Sequence, residues 1–70
     1  MTKVGAVVEV LKAKKDKQAT WAEIYAAVAK AHPKFKTSLF WQEGIRGVVY
    51  RETRYKRTFK MAEKGVVALR

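Results

Sequence analysis

Residues Thr37 to Leu69 read TSLFWQEGIRGVVYRETRYKRTFKMAEKGVVAL, and a change of hydrophobic period inside this stretch decides the fold. Over TSLFWQEGIRGVVYRETRY the apolar residues recur at helical spacing. At about 100° per residue, Trp41, Ile45, Val48 and Val49 share one face. Leu39, Glu43, Arg46, Tyr50 and Arg54 lie opposite, with Gln42 and Arg51 at the flanks. Glu52 projects toward the apolar side near the end of the helix, so it is expected to need solvent or a basic neighbour. After Arg54 the period falls to two: Tyr55, Arg57, Phe59 and Met61 alternate with Lys56, Thr58 and Lys60. Ala62-Glu63-Lys64-Gly65 reads as a hairpin loop with Gly65 at a positive-φ position, and Val66 to Leu69 as the return strand. Phe59 and Met61 on one strand, with Val67 and Leu69 on the other, are placed to close a core.

Working outward, Lys3 to Lys15 predicts a first helix with Val4, Val7, Val8 and Leu11 as its apolar stripe. Lys12, Lys14 and Lys15 crowd its C-terminal turn, where cations favour the helix dipole. Asp16 to Ala19 is a polar connector with room for a strand of two or three residues around Gln18. Thr20 and Glu23 have the T-x-x-E spacing of a capping box, which opens a second helix. Trp21, Ile24, Ala27, Val28 and Ala31 form its apolar face. Pro33 pushes His32 out of helical geometry and ends it. Phe35 is expected to plug a corner of the core, and Thr37 or Ser38 to cap the third helix. Both tryptophans fall on apolar faces and read as core residues. Gly44 and Gly47 each lower helix propensity by roughly 1 kcal/mol. They suit close approach of another helix or of a DNA backbone.

The composition bounds the function. Seventy residues make one small domain, residues 1–70, with a modest core. Sixteen Lys and Arg against six Asp and Glu give a formal charge of +10, which attracts polyanions. The chain has no cysteine and one histidine, His32, so neither a thiolate nor a His-based metal site is expected. Scattered carboxylates, the absence of a triad and the lack of a Gly-rich phosphate loop argue against catalysis or a bound cofactor. No apolar run approaches the ~20 residues of a membrane span, and no secretory leader is visible. A cytoplasmic, nucleoid-associated protein is expected, or a nuclear one in a eukaryote.

The order helix, capped helix, helix, hairpin resembles a winged helix-turn-helix, an α+β fold with a C-terminal β-wing of two or three strands. In particular, Thr20, Glu23, Ile24 and Tyr25 resemble the T-x-x-E-I-Y second helix of the HARE-type modules attached to restriction endonucleases and chromatin factors. Phe59, Gly65, Ala68 and Leu69 resemble their wing pattern, and the likeness spans nearly the whole chain. The resemblance implies a third helix in the major groove of double-stranded DNA and a wing on the adjacent backbone. Gln42, Arg46, Tyr50 and Arg54 would then face the groove, with Arg51 beside them. Gln and Arg are the side chains that pair bidentately with adenine and guanine. Lys56, Arg57, Lys60 and Lys64 would supply phosphate contacts from the wing. Lys34, Lys36, Thr37 and Ser38 would grip a phosphate at the N-terminus of the third helix.

Two other functions fit the same residues. Exposed Leu39, Phe40 and Tyr50 could form an apolar patch for a protein partner or for self-association. The resemblance alone also implies a third role, the DNA-recognition arm of a modification-dependent nuclease.

Overall fold

The structure, a computed structural model, describes residues 2–70. It is an α+β fold of three α-helices and one three-stranded antiparallel sheet. The order is α1 (Lys3–Lys12), β1 (Gln18–Thr20), α2 (Trp21–Ala31), a 3-10 helix (Pro33–Thr37), α3 (Trp41–Arg54), β2 (Phe59–Glu63) and β3 (Val66–Leu69). This layout is compatible with a winged helix. The optional strand near Gln18 is present: β1 pairs with β3, and β3 lies between β1 and β2.

Local chemistry sets most boundaries. Thr2 caps α1, its hydroxyl accepting from the Gly5 N–H at 3.0 Å. The helix stops at Lys12, short of the expected Lys15, because the chain turns there. Lys17 adopts a left-handed backbone (φ 58°), and its ammonium donates to the Lys12 carbonyl at 2.8 Å. At α2 the capping box is complete: the Glu23 N–H donates to Thr20 Oγ1, and the Thr20 N–H to Glu23 Oε1.

The third helix begins later than expected. Thr37 ends the 3-10 helix, and the Ser38 hydroxyl accepts from the Phe40 N–H at 3.2 Å, so both serve the turn and neither caps α3. Proline at the first position of the 3-10 helix imposes a tight local turn, and a helix restarts only at Trp41. At its far end α3 closes with a Schellman arrangement. The Arg57 N–H donates to the Glu52 carbonyl at 2.9 Å and the Lys56 N–H to that of Thr53 at 3.0 Å. Lys56 sits in the left-handed region (φ 54°), a position glycine usually fills. The expected strand over Tyr55–Thr58 is therefore a turn, and β2 starts at Phe59. The hairpin loop is also shorter than expected. Glu63 pairs with Val66 after a bulge at Ala62, which leaves Lys64 and Gly65 (φ 79°) as the loop.

The core joins every layer. Val7 and Leu11 of α1, Ile24 and Val28 of α2, Ile45 and Val49 of α3, Phe59 of β2 and Val67 of β3 are fully buried. Ala6 and Val10 are buried where Val4 and Val8 were expected, and those two are only half-buried. The reason is position: α1 packs on α2, α3 and β3 together, so its covered surface is wider than one stripe. Trp21 is buried, and Phe35, Trp41, Met61 and Leu69 pack at the margins.

Lys56→Gly is expected to raise the unfolding free energy by about 1 kcal/mol, because it removes the steric cost of a side chain in left-handed geometry. Urea denaturation checks this. A midpoint that stays put or falls would remove the left-handed cap as a source of strain.

Candidate functional site

One carboxylate anchors the junction between α3 and the sheet. Glu52 is only 8% exposed, yet its oxygens are both satisfied. Arg57 Nη2 donates to Oε2 at 2.6 Å, and Thr58 Oγ1 donates to Oε1 at 2.9 Å. The Arg57 hydrogen bond, then that of Thr58, holds the Glu52 carboxyl below its ordinary range. The basic neighbour that Glu52 was expected to need is thus Arg57. Arg57 also lies over the Tyr55 ring, 5.3 Å from its centroid. It belongs to this junction and not to a row of free wing cations, which corrects its expected place in a strand.

The outer face of α3 carries the other arginines. Gln42, Arg46, Tyr50, Arg51 and Arg54 are all exposed, as the helical spacing predicts. Tyr50 is not a lone aromatic. It tilts against Trp21 with centroids 5.7 Å apart, while Trp21 stacks on Tyr25 at 5.8 Å and Tyr25 meets Trp41 edge-on at 6.0 Å. This aromatic seam fastens α3 to α2. The Arg46 guanidinium rests over Trp21 at 5.3 Å, so one of its faces is held by the protein.

The predicted residues gather in separate places. Tyr50, Arg51 and Arg54 line an open notch with Gly47 and Tyr55. Gln42 and Arg46 share a smaller depression with Tyr25 and Glu43. Lys34, Thr37 and Ser38 border a third, together with Lys3 and the exposed Phe40. Lys34 and Lys36 belong to the 3-10 helix, so they do not stand at the N-terminus of α3 as expected. Lys56 lies in the turn after α3, Lys60 is exposed on β2, and Lys64 is exposed in the hairpin loop. Lys60 and Lys64 line none of these depressions.

Charge pairing leaves a large surplus. Among the described residues, Lys14 pairs with Glu23 and Arg57 with Glu52, so two of the sixteen Lys and Arg form ion pairs. His32 Nε2 sits 3.4 Å from Glu9 Oε1, and its ring meets Phe35 edge-on. That residue had no expected role; it lies where the end of α2 meets α1, and its Nε2 is buried without a hydrogen-bond partner among the described residues. Nothing in the spacing from Glu9 to His32 signals the contact, because it depends on how two helices cross. Lys3 was missed for the same reason, and Tyr55 because the strand expected there is the end of α3 and its turn. No group of three His, Cys, Asp or Glu residues that could hold a metal occurs among the described residues. None of their helices is long and apolar enough to cross a membrane.

Compared with models of known protein families the chain finds no match, and it finds none among curated proteins.

Two depressed carboxylates give stability a defined pH dependence. Glu23 is lowered to about 2, first by the Lys14 hydrogen bond and then by the Thr20 N–H and hydroxyl. Glu52 is lowered by Arg57 and Thr58. Below 4.5 the unfolded chain takes up protons that the folded chain still refuses, so stability is full above that pH and falls as the pH drops toward 2. Thermal melts across this window are expected to show the fall. A double variant, Glu23→Gln with Glu52→Gln, is expected to flatten it; an unchanged slope would show that other groups control acid unfolding.

Proposed function

We propose that this chain is a winged helix that binds double-stranded DNA, with α3 in the major groove and the β2–β3 hairpin on the phosphate backbone. The observation that carries the reading is the exposed face of α3. Arg46, Arg51 and Arg54 turn away from the core and have no carboxylate partner among the described residues. Guanidiniums without carboxylate partners, spread over the exposed side of a helix about 10 Å wide, suit a groove of similar width lined by anions. Lys60 and Lys64 on the hairpin add cations from a second element. Arg57, held by Glu52, fixes the base of that hairpin and leaves backbone contact to its neighbours.

Within the groove, the Gln42 side-chain amide makes no hydrogen bond among the described residues and is free to pair with an adenine edge, while Arg51 and Arg54, which rest over no aromatic ring, are free to contact phosphate. Arg46 keeps one face on Trp21, which limits its rotamers and lowers the entropy lost on contact. A small transcriptional regulator or nucleoid-type protein of the cytoplasm, or of a eukaryotic nucleus, is the role that this surface fits.

Fluorescence anisotropy with a short duplex over a salt series tests the reading. Affinity is expected to fall steeply with salt, and Arg54→Ala to reduce the log–log slope by about 0.9, the loss of one phosphate contact. Equal affinity at low and high salt would overturn it.

A second reading rests on Leu39 and Phe40, which are 93% and 69% exposed side by side before α3. Such a pair suits a protein partner. On that reading Leu39→Asp abolishes association with the partner and Arg46→Ala leaves it intact. On the DNA reading, Leu39→Asp weakens duplex binding only through its added charge, so the anisotropy of the two variants separates the alternatives.

A further inference from the structure

The two glycines of α3 differ in what surrounds them. A Cβ built on Gly44 would lie 3.4 Å from Cε of Lys3, so the fold itself uses that space for the lysine stem. A Cβ on Gly47 would meet nothing within 4 Å, and the residue is not in the left-handed region. Neither packing nor backbone geometry calls for glycine there. Yet glycine inside a helix is less stable than alanine. The chain carries this weakness at the centre of its longest helix, on the solvent side.

What Gly47 does create is room. It forms the floor of an open notch of about 320 Å³ whose walls are Tyr50, Arg51, Arg54 and Tyr55. Neither arginine is ion-paired among the described residues. These walls suit an anionic occupant with an apolar part for two tyrosines, and one that approached the helix backbone closely would be obstructed by a methyl group at position 47. Glu43, one turn toward the N-terminus on the same side of α3, sets a negative limit to the anionic part.

We infer that the Gly47 notch seats one deoxyribose-phosphate unit of a DNA strand, with the phosphate between Arg51 and Arg54 and the sugar against Tyr50 and Tyr55. Gly47 then sets how closely the strand approaches α3. The inference rests on the DNA-binding reading above and adds the place where one strand touches the helix. The chemistry fits a polymer better than a free nucleotide, because the notch is open on the solvent side and the surrounding surface stays cationic.

The test uses the full chain and a duplex of about twenty base pairs, long enough for a winged helix site. Gly47→Ala is expected to raise the melting midpoint by roughly 4–8 °C, the shift that relief of one helix glycine produces in a domain this size. The same variant is expected to weaken duplex binding about tenfold, as for a one-methyl overlap, while the salt slope stays that of the wild type because no charge is lost. Glu43→Gln is expected to tighten binding. A stabilised Gly47→Ala protein that binds as well as the wild type would overturn the notch and leave the DNA reading standing. Absence of salt-sensitive duplex binding by the wild-type chain would overturn both.

Discussion

The Glu52 carboxylate is the point on which the arrangement of α3 and the sheet depends. It is the one charged side chain that the fold buries among the described residues, and both its partners come from the turn that follows. The Arg57 N–H also donates to the backbone carbonyl of Glu52, so side chain and main chain close the same ring. A helix can leave its last turn in many directions. Here the Schellman bonds and the Glu52 pair admit one, which delivers Phe59 into the core as the first residue of β2. Because the carboxylate is nearly buried, loss of Arg57 would leave its charge with the Thr58 hydroxyl as its one side-chain partner. Such junctions hold a geometry more firmly than an exposed ion pair does.

The aromatic seam does for the other side of α3 what Glu52 does for its end. Trp21 stands at the first position of α2, fixed by the Thr20 capping box, and reaches across to Tyr50 and Arg46. The face that would meet DNA is thus built on two helices, although the arginines come from one. Tyr50 leans on Trp21 yet stays exposed, so its ring is positioned by the protein on one side and open to solvent on the other.

Much of this architecture was legible because its causes are local. Thr20 and Glu23 announce their helix through spacing alone, and Gly65 announces its turn. The step from period 3.6 to period 2 locates the hairpin, and Glu52 betrays itself as an acid on an apolar face. The failures have causes that lie outside any short window. Thr37 and Ser38 look like caps, but the 3-10 helix after Pro33 takes up the turn that they would have made. Lys56 has no residue-type signal for a left-handed cap, since lysine is rare there. Arg57 reads as a strand residue until its partner, five residues back, is known to be buried. The surface contacts of Lys3 with Gly44, His32 with Glu9 and Arg46 with Trp21 depend on how helices cross, which period and propensity do not encode. Of the expected DNA-contact residues, those on α3 kept their exposure, while Lys34 and Lys36 lost their helix terminus to the late start at Trp41.

The pairing of β1 with β3 has a kinetic consequence. Gln18 lies opposite Ala68, so the central strand pairs with a strand that precedes α2 and α3 in the chain. Helices α1 and α2 have their contacts available early in synthesis, but the sheet does not exist until the last strand has been made. Closing so long a loop carries an entropic cost that local helices do not share. The hairpin and the short strand are therefore completed together, because β3 is the shared partner of both and β1 and β2 do not pair with each other.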